Sequence, residues 1–188
     1  MKKLAIGIST LTKLRNTDCI YVDKTHHIAN MMNSGSQYYF ISRPRRFGKS
    51  LLVDTLKQAF LGKKEIFKDL YLEHHWDWSK QYPVIHMSFA GSSSFDSTNT
   101  LLTIIWSTIQ EHATRYSVEI NSQVYGDAFN KLIYALYKKY QQPVVILIDE
   151  YDKPILDVIE QSELAIQNRE ILKGLYSWIK DNDAYLRF

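Results

Sequence analysis

One cysteine in 188 residues is too few for a disulfide framework, because Cys19 cannot close an intramolecular bridge. A lone thiol of this kind points to a reducing compartment and reads as a small half-buried hydrophobe. Charge of one sign is lacking too. The chain carries 23 basic and 20 acidic residues, a formal net charge of +3, which gives little support for strong nucleic-acid binding driven by overall charge. The basic groups are scattered except around Arg43, Arg45 and Arg46. No apolar run approaches the roughly 20 residues that span a bilayer. The start, Met1-Lys-Lys-Leu-Ala-Ile-Gly-Ile8, breaks at Ser9-Thr10 and Lys13 before a secretory apolar region forms. Membrane insertion is therefore not expected, and the expected location is the cytoplasm. There is no internal repeat, and the low-complexity stretch, the serine triplet at 92–94, reads as a surface loop.

What is present suits a folded enzyme domain. A hydrophobic content of 45% excludes wholesale disorder, and 188 residues can bury one real core. Thirteen tyrosines and four tryptophans mostly fall at core-like spacing and read as packing, with base-stacking platforms as the alternative.

The most informative run is Tyr38-Tyr-Phe-Ile-Ser-Arg-Pro-Arg-Arg-Phe-Gly-Lys-Ser-Leu-Leu52. It predicts a strand over Tyr38–Ile41, a tight loop, and a helix beginning at Lys49. Amides at a helix N-terminus point outward without partners and the helix dipole adds positive charge, so a polyphosphate supplies what the backbone lacks. Lys49 would reach the β- and γ-phosphates and the Ser50 hydroxyl would sit on Mg²⁺. The loop departs from G-x-x-x-x-G-K-[ST] at its first position, which is Arg43 followed by Pro44. A residue before proline is pushed to extended conformations, so Arg43 is not expected at positive φ and the start of the loop must be built differently. Pro44 also lacks a donor. The phosphate-binding stretch is then Arg45, Arg46, Phe47, Gly48, Lys49, Ser50 and Leu51. Arg45 and Arg46 either add charge there or simply flank the loop at the surface.

A second run, Pro143-Val-Val-Ile-Leu-Ile-Asp-Glu-Tyr-Asp-Lys-Pro154, supplies the context that a lone Gly-Lys-Ser triplet needs. Val144 to Ile148 read as a parallel strand buried on both faces, which puts Asp149 and Glu150 at its C-terminal end. Ligands of open α/β sheets bind outside the carboxyl ends of strands. Asp149 can there hold Mg²⁺ through water, and Glu150 is placed to orient and deprotonate an attacking water. The plainer reading of the pair is a solvated acidic turn after a core strand.

Strand and helix patterns alternate along the rest of the chain, as a parallel sheet requires. Asp23-Lys-Thr25 precedes a helix with Ile28, Met31 and Met32 inward, and the helix from Lys49 buries Leu52, Leu56 and Phe60 before Gly62 ends it. A loop containing Trp76 and Trp78 leads to a strand over Val84–Phe89. The cluster from Gly91 to Thr98 can cap a helix over about Asn99–Tyr116. Further helices are predicted over about Tyr125–Tyr140 and Glu163–Asp181. His26-His27 and His74-His75 are adjacent pairs, which on a helix or strand do not point at one metal. His86 reads as a core or sheet-face histidine. Asp152 either supports the carboxylate pair or caps a helix at Pro154.

Together, Ile6-Gly-Ile8, Leu14-Arg15, Tyr21-Val-Asp-Lys-Thr25, Arg43-Pro-Arg-Arg-Phe-Gly-Lys-Ser50, Tyr82-Pro-Val-Ile-His86 and Leu147-Ile-Asp-Glu-Tyr-Asp-Lys-Pro154 resemble the bacterial AAA-ATPase-like family. The resemblance runs in order from Ile6 to the last residue. It implies an α/β fold, a three-layer P-loop NTPase with a mostly parallel sheet, of the additional-strand, catalytic-glutamate class. Residues 1–37 would be a lead-in and 38–188 the ATPase core. Lys49 and Ser50 match the family's phosphate- and magnesium-binding positions, Asp149 its magnesium-associated aspartate and Glu150 its catalytic glutamate, so the implied activity is Mg²⁺-dependent ATP hydrolysis. Asp23-Lys24 matches a motif that would lie near the base or ribose, or else forms a local salt-linked turn.

Longer members carry a C-terminal nuclease-like domain of the PD-(D/E)XK type, and no [DE]-x-K triplet occurs in this sequence. The resemblance places the start of the strand bearing the polar sensor residue at Asp183-Ala-Tyr-Leu-Arg-Phe188, between the phosphate-loop strand and the Asp149 strand. The core is accordingly expected to be incomplete at its C-terminus, so hydrolysis is expected of the complete domain, and weak ATP binding with little or no turnover of residues 1–188. The implied partner is the nucleotide, with a homo-oligomer left open and nucleic acid expected only through a further C-terminal domain. The readings from other classes are a nucleotide-dependent switch with little turnover, and a nucleic-acid-binding module built on Arg43, Arg45 and Arg46.

Overall fold

The structure, a computed structural model, describes residues 3–17, 19–44, 46–91 and 95–188. Arg45 and the serine triplet 92–94 lie outside the described residues. In chain order the elements are α1 (Leu11–Asn16), α2 (His26–Asn33), α3 (Lys49–Phe60), 3-10 turns at Lys64–Phe67 and Tyr71–Glu73, β1 (Val84–Ser88), α4 (Thr98–Arg115), α5 (Tyr125–Tyr140), β2 (Val145–Asp149), α6 (Lys153–Leu156), α7 (Ser162–Asp181) and a 3-10 turn at Asp183–Tyr185. The class is mixed α/β with a small parallel sheet of two strands, β1 beside β2. The chain divides into two compact units, residues 1–84 with Phe188 and residues 85–187. Among the described residues no helix is long and apolar enough to cross a membrane.

In the unit of residues 85–187 the core follows from helical spacing. Leu101, Ile105 and Ile109 of α4, Phe129, Leu132, Ile133 and Leu136 of α5, and Leu172, Leu175 and Ile179 of α7 join Ile85, Met87 and Phe89 in one buried cluster. Each such side chain removed from water contributes about 1.5–3 kcal/mol before the cost of ordering it. Helix α4 begins at the turn cluster that the sequence marks as its cap, with the Ser97 hydroxyl accepting the Thr100 amide at 3.3 Å. Along β2, Val145, Leu147 and Asp149 are buried, while Ile146 and Ile148 are half-buried but still packed on the core. Burial on both faces is thus less complete than the apolar run suggests. A single parallel bridge pairs Val144 with Leu186.

Helices α5 and α7 meet closely at one point. A Cβ on Gly126 would lie 2.7 Å from the Trp178 ring, so only glycine lets the two helices approach there.

In the unit of residues 1–84, α3 buries Thr55, Leu56, Ala59 and Phe60 on one stripe, with Leu52 half-buried. Gly62, at φ 72, ends it, its amide on the Ala59 carbonyl at 3.0 Å. The strand expected at Tyr38–Ile41 does not form: the segment belongs to no sheet among the described residues, and Tyr38 and Phe40 are 53% and 70% exposed. A strand exists only by ladder bonding to a neighbour, and apolar content alone cannot supply that neighbour. Tyr39 instead stacks on Phe188, ring centroids 5.0 Å apart.

Helix α1, which the sequence did not announce, borrows its cap. Thr10 makes no side-chain cap bond, and the Leu11 amide donates to Asp54 Oδ2 on α3 at 2.7 Å. Asp23 acts similarly: Oδ1 accepts the Thr25 amide at 2.8 Å and Oδ2 the Tyr71 amide at 2.6 Å, while the Thr25 hydroxyl accepts the Leu72 amide at 3.1 Å. These bonds make Asp23-Lys24-Thr25 a turn that ties the start of α2 to the 3-10 turn Tyr71–Glu73. Partial burial pushes the Asp23 carboxyl up, but the amides of Tyr71 and Thr25 outweigh it and hold it below the usual carboxylate value.

Gly126→Ala should lower stability by about 1–3 kcal/mol through overpacking against Trp178, a loss that Trp178→Leu in the same chain should partly relieve; chemical denaturation of the three variants measures it. A depressed carboxylate contributes stability above its unfolded value of about 4 and loses it as pH falls through the lower folded value. Asp23→Asn should therefore cost about 1–2 kcal/mol at neutral pH and flatten the acid limb of the stability curve, and an unchanged acid limb in urea titrations would refute this role of the carboxylate.

Candidate functional site

The loop before α3 puts part of its backbone in left-handed conformations. Gly48, the N-cap of α3, sits at φ 76 and Arg46 at φ 68, while Arg43 is not among the positive-φ residues. The Phe47 amide closes the loop on the Pro44 carbonyl at 3.4 Å. Helix α3 starts with no side-chain cap bond and no acidic residue in its first turn, so no carboxylate there competes for the amides or the dipole. Among the described residues, nothing lies within 4 Å of where a Gly48 Cβ would be. Lys49 and Ser50, the first two residues of α3, are half-buried, and Arg46 and Phe47 are exposed.

At the end of β2 the chain is held from several directions. The Phe89 amide donates to the Asp149 carbonyl at 3.1 Å, and the Lys153 amide donates to the Glu150 carbonyl at 3.1 Å. The Asp149 side chain, 8% exposed, turns back to accept the Glu150 amide on Oδ1 at 3.0 Å. Glu150 is forced to φ 53, a left-handed conformation that costs a non-glycine residue roughly 1–2 kcal/mol. Strain of this kind concentrates at functional sites, where surrounding bonds over-determine it. Half-buried Glu150 thus has both its amide and its carbonyl hydrogen-bonded.

The predicted site residues divide between the two units. Arg46, Phe47, Gly48, Lys49, Ser50 and Leu51 lie on the loop and first turn of α3 in the unit of residues 1–84, and Asp149 and Glu150 lie in the unit of residues 85–187. Asp152 occupies the N-cap position of α6, but its side chain makes no cap bond; its carbonyl accepts the amides of Ile155 and Leu156 instead. Sequence reasoning passed over Asp54, which ties α1 to the phosphate-loop helix. Its signal is faint, an acidic residue six positions after the loop glycine whose use depends on a helix start 43 residues earlier.

The comparisons agree with the resemblance. A curated relative from Azotobacter chroococcum mcd 1, named "Uncharacterized protein in vnfD 5'region", is 42% identical over 197 residues, which is all of this chain and 36% of that protein. The chain thus spans about a third of the length of the relative it matches. No solved structure matches it. The profile of the AAA-ATPase-like family, described as a predicted AAA-ATPase, matches residues 5–188. With nearly every residue inside that match, the chain belongs to the AAA-ATPase-like family.

Proposed function

We propose that this chain binds ATP with Mg²⁺ and hydrolyses it. The observation that carries the reading is the start of α3: a left-handed Gly48 with no described residue within 4 Å of where a Cβ would be, a helix start with no side-chain cap bond, and Lys49 and Ser50 on the first turn. The amides of this turn bind phosphate oxygens, and Lys49 adds a point charge that follows the β- and γ-phosphates. The Ser50 hydroxyl and the Asp149 carboxylate are hard oxygen donors that suit Mg²⁺, and the buried, hydrogen-bonded state of Asp149 keeps its orientation fixed. When bound, Mg²⁺ neutralises charge on the phosphates.

Glu150 carries the proton chemistry. Its carboxylate accepts a proton from the attacking water as the water oxygen bonds the γ-phosphorus in line and the bond from that phosphorus to the β–γ bridging oxygen breaks, leaving ADP and phosphate. The strained, bonded turn around it supports that assignment, because proton abstraction demands a carboxylate held to within fractions of an ångström. Most of the rate enhancement would come from electrostatic clamping of the phosphates rather than from the base. Activities or partners of a longer protein, of the length of the Azotobacter relative, are proposals beyond this chain's residues.

Lys49→Ala should weaken Mg·ATP binding at least tenfold, about 1.4 kcal/mol, by calorimetry on a protein shown to be folded; unchanged affinity would remove the phosphate-loop assignment. Glu150→Gln should leave ATP affinity within about twofold and lower phosphate release by about 10²-fold or more. If wild-type protein binds ATP but Glu150→Gln releases phosphate as fast as it does, hydrolysis is either absent or carried by another group, and the chain acts as a nucleotide-dependent switch.

A further inference from the structure

Beside the strained turn runs a groove of about 440 Å³ that the ATPase reading does not use. One wall is α7, which contributes Arg169, Leu172, Lys173, Tyr176 and Lys180. These positions follow the i, i+3, i+4, i+7, i+11 rule, so they form one continuous stripe on the helix. The other wall includes Tyr151, the residue directly after Glu150. Two phenol rings therefore flank the groove, its floor includes buried Leu172, and three cations rim it along one helix face.

We propose that this groove is a binding site for single-stranded nucleic acid. The three cations cover about 16 Å of helix at 1.5 Å per residue, more than a single phosphate group engages, which favours a repeating anion over a small one. Aromatic walls beside a basic track are what single strands use: bases stack on the rings and the backbone follows the charges. Tyr176 is 40% exposed, so a face of its ring is open to a base. Burial, with the nearby Tyr151 and Asp152, holds its phenol protonated with a pKa pushed up to about 12, so no phenolate repels a phosphate.

The nearby carboxylates do not close the groove. Glu170 sits 3.3 Å from both Arg169 and Lys173, but both pairs are exposed, so solvent and salt screen them and a phosphate can displace the carboxylate. Lys180 pairs with no carboxylate among the described residues. The near-neutral overall charge does not oppose the assignment, since the cations are gathered on one stripe. The proposal stands whether or not the chain hydrolyses ATP.

The test is fluorescence anisotropy of a labelled oligo-dT of about 15 nucleotides, a length within the span of one single-strand site, with full-length protein, without nucleotide, over a salt series. Lys173→Ala/Lys180→Ala should weaken binding at least about fivefold and reduce the salt slope by about 1.4, at about 0.7 for each phosphate no longer engaged. Tyr176→Ala should weaken it about fivefold or more, whereas Tyr176→Phe, which keeps the ring, should stay within about twofold. All positions are exposed, and melting curves confirm that each variant is folded; should the double variant not fold, Lys173→Glu and Lys180→Glu taken singly read the same slope. No oligo-dT binding by wild type at low salt overturns the proposal. So do variants that bind like wild type with the same slope, which would place the strand elsewhere, and a poly-glutamate peptide that binds in preference to oligo-dT, which would make the groove a peptide site.

Discussion

The turn that ends β2 fixes the unit of residues 85–187. A parallel strand that stops leaves amides and carbonyls in need of partners, and here each is matched: the Asp149 carbonyl by Phe89, the Asp149 side chain by the Glu150 amide, the Glu150 carbonyl by Lys153. These bonds set where α6 begins. The buried Asn168 then donates from Nδ2 to the Pro154 carbonyl at 2.8 Å, which anchors α7 to the end of the same turn. From there the Trp178 ring of α7 fits the gap at Gly126 on α5. A shift in the turn would thus be felt along α7, because close-packed interiors transmit displacement rather than absorb it.

How much of this was legible depends on whether the determining interaction is local. The helix over Tyr125–Tyr140 matches its expected bounds, and those of α4 and α7 are within one residue, because the apolar positions repeat at 3.6. Strand β2 was readable from its aliphatic run and its carboxylate end. The strand at Tyr38–Ile41 was not, since an equally apolar segment forms no ladder without a neighbour, and sequence shows composition but not pairing. The caps of α1 and of the Tyr71–Glu73 turn were invisible for a related reason: Asp54 acts 43 residues from Leu11, and Asp23 acts 48 residues from Tyr71. For the candidate site, the helix start at Lys49 and the strand end at Asp149 could be read from residue types and spacing. The left-handed backbones of Arg46 and Glu150 could not, because neither is a residue that favours that region.

The Arg43-Pro44 start of the loop before α3 shows how a departure from the glycine-rich pattern is accommodated in the backbone. Glycine at the first loop position normally supplies freedom of φ, and a residue before proline has less freedom than most. The loop here places its left-handed turns later, at Arg46 and Gly48, and closes with Phe47 on Pro44. An arginine in that conformation is strained where a glycine would not be, so Arg46 gains its place by something other than backbone ease. A cation on an exposed loop beside an uncapped helix start is consistent with attraction of an anion.

The same reasoning applies with more force to Glu150. Glycine or asparagine would occupy φ 53 at lower cost, and a turn needed only to reverse the chain would be more stable with either. The side chain next to it is also costly to place, since Asp149 is a nearly buried carboxylate whose Oδ1 is satisfied by the very amide that the strained residue presents. The strain and the buried charge are therefore coupled: the left-handed turn of Glu150 aims its amide at Asp149, and Asp149 holds the turn in place.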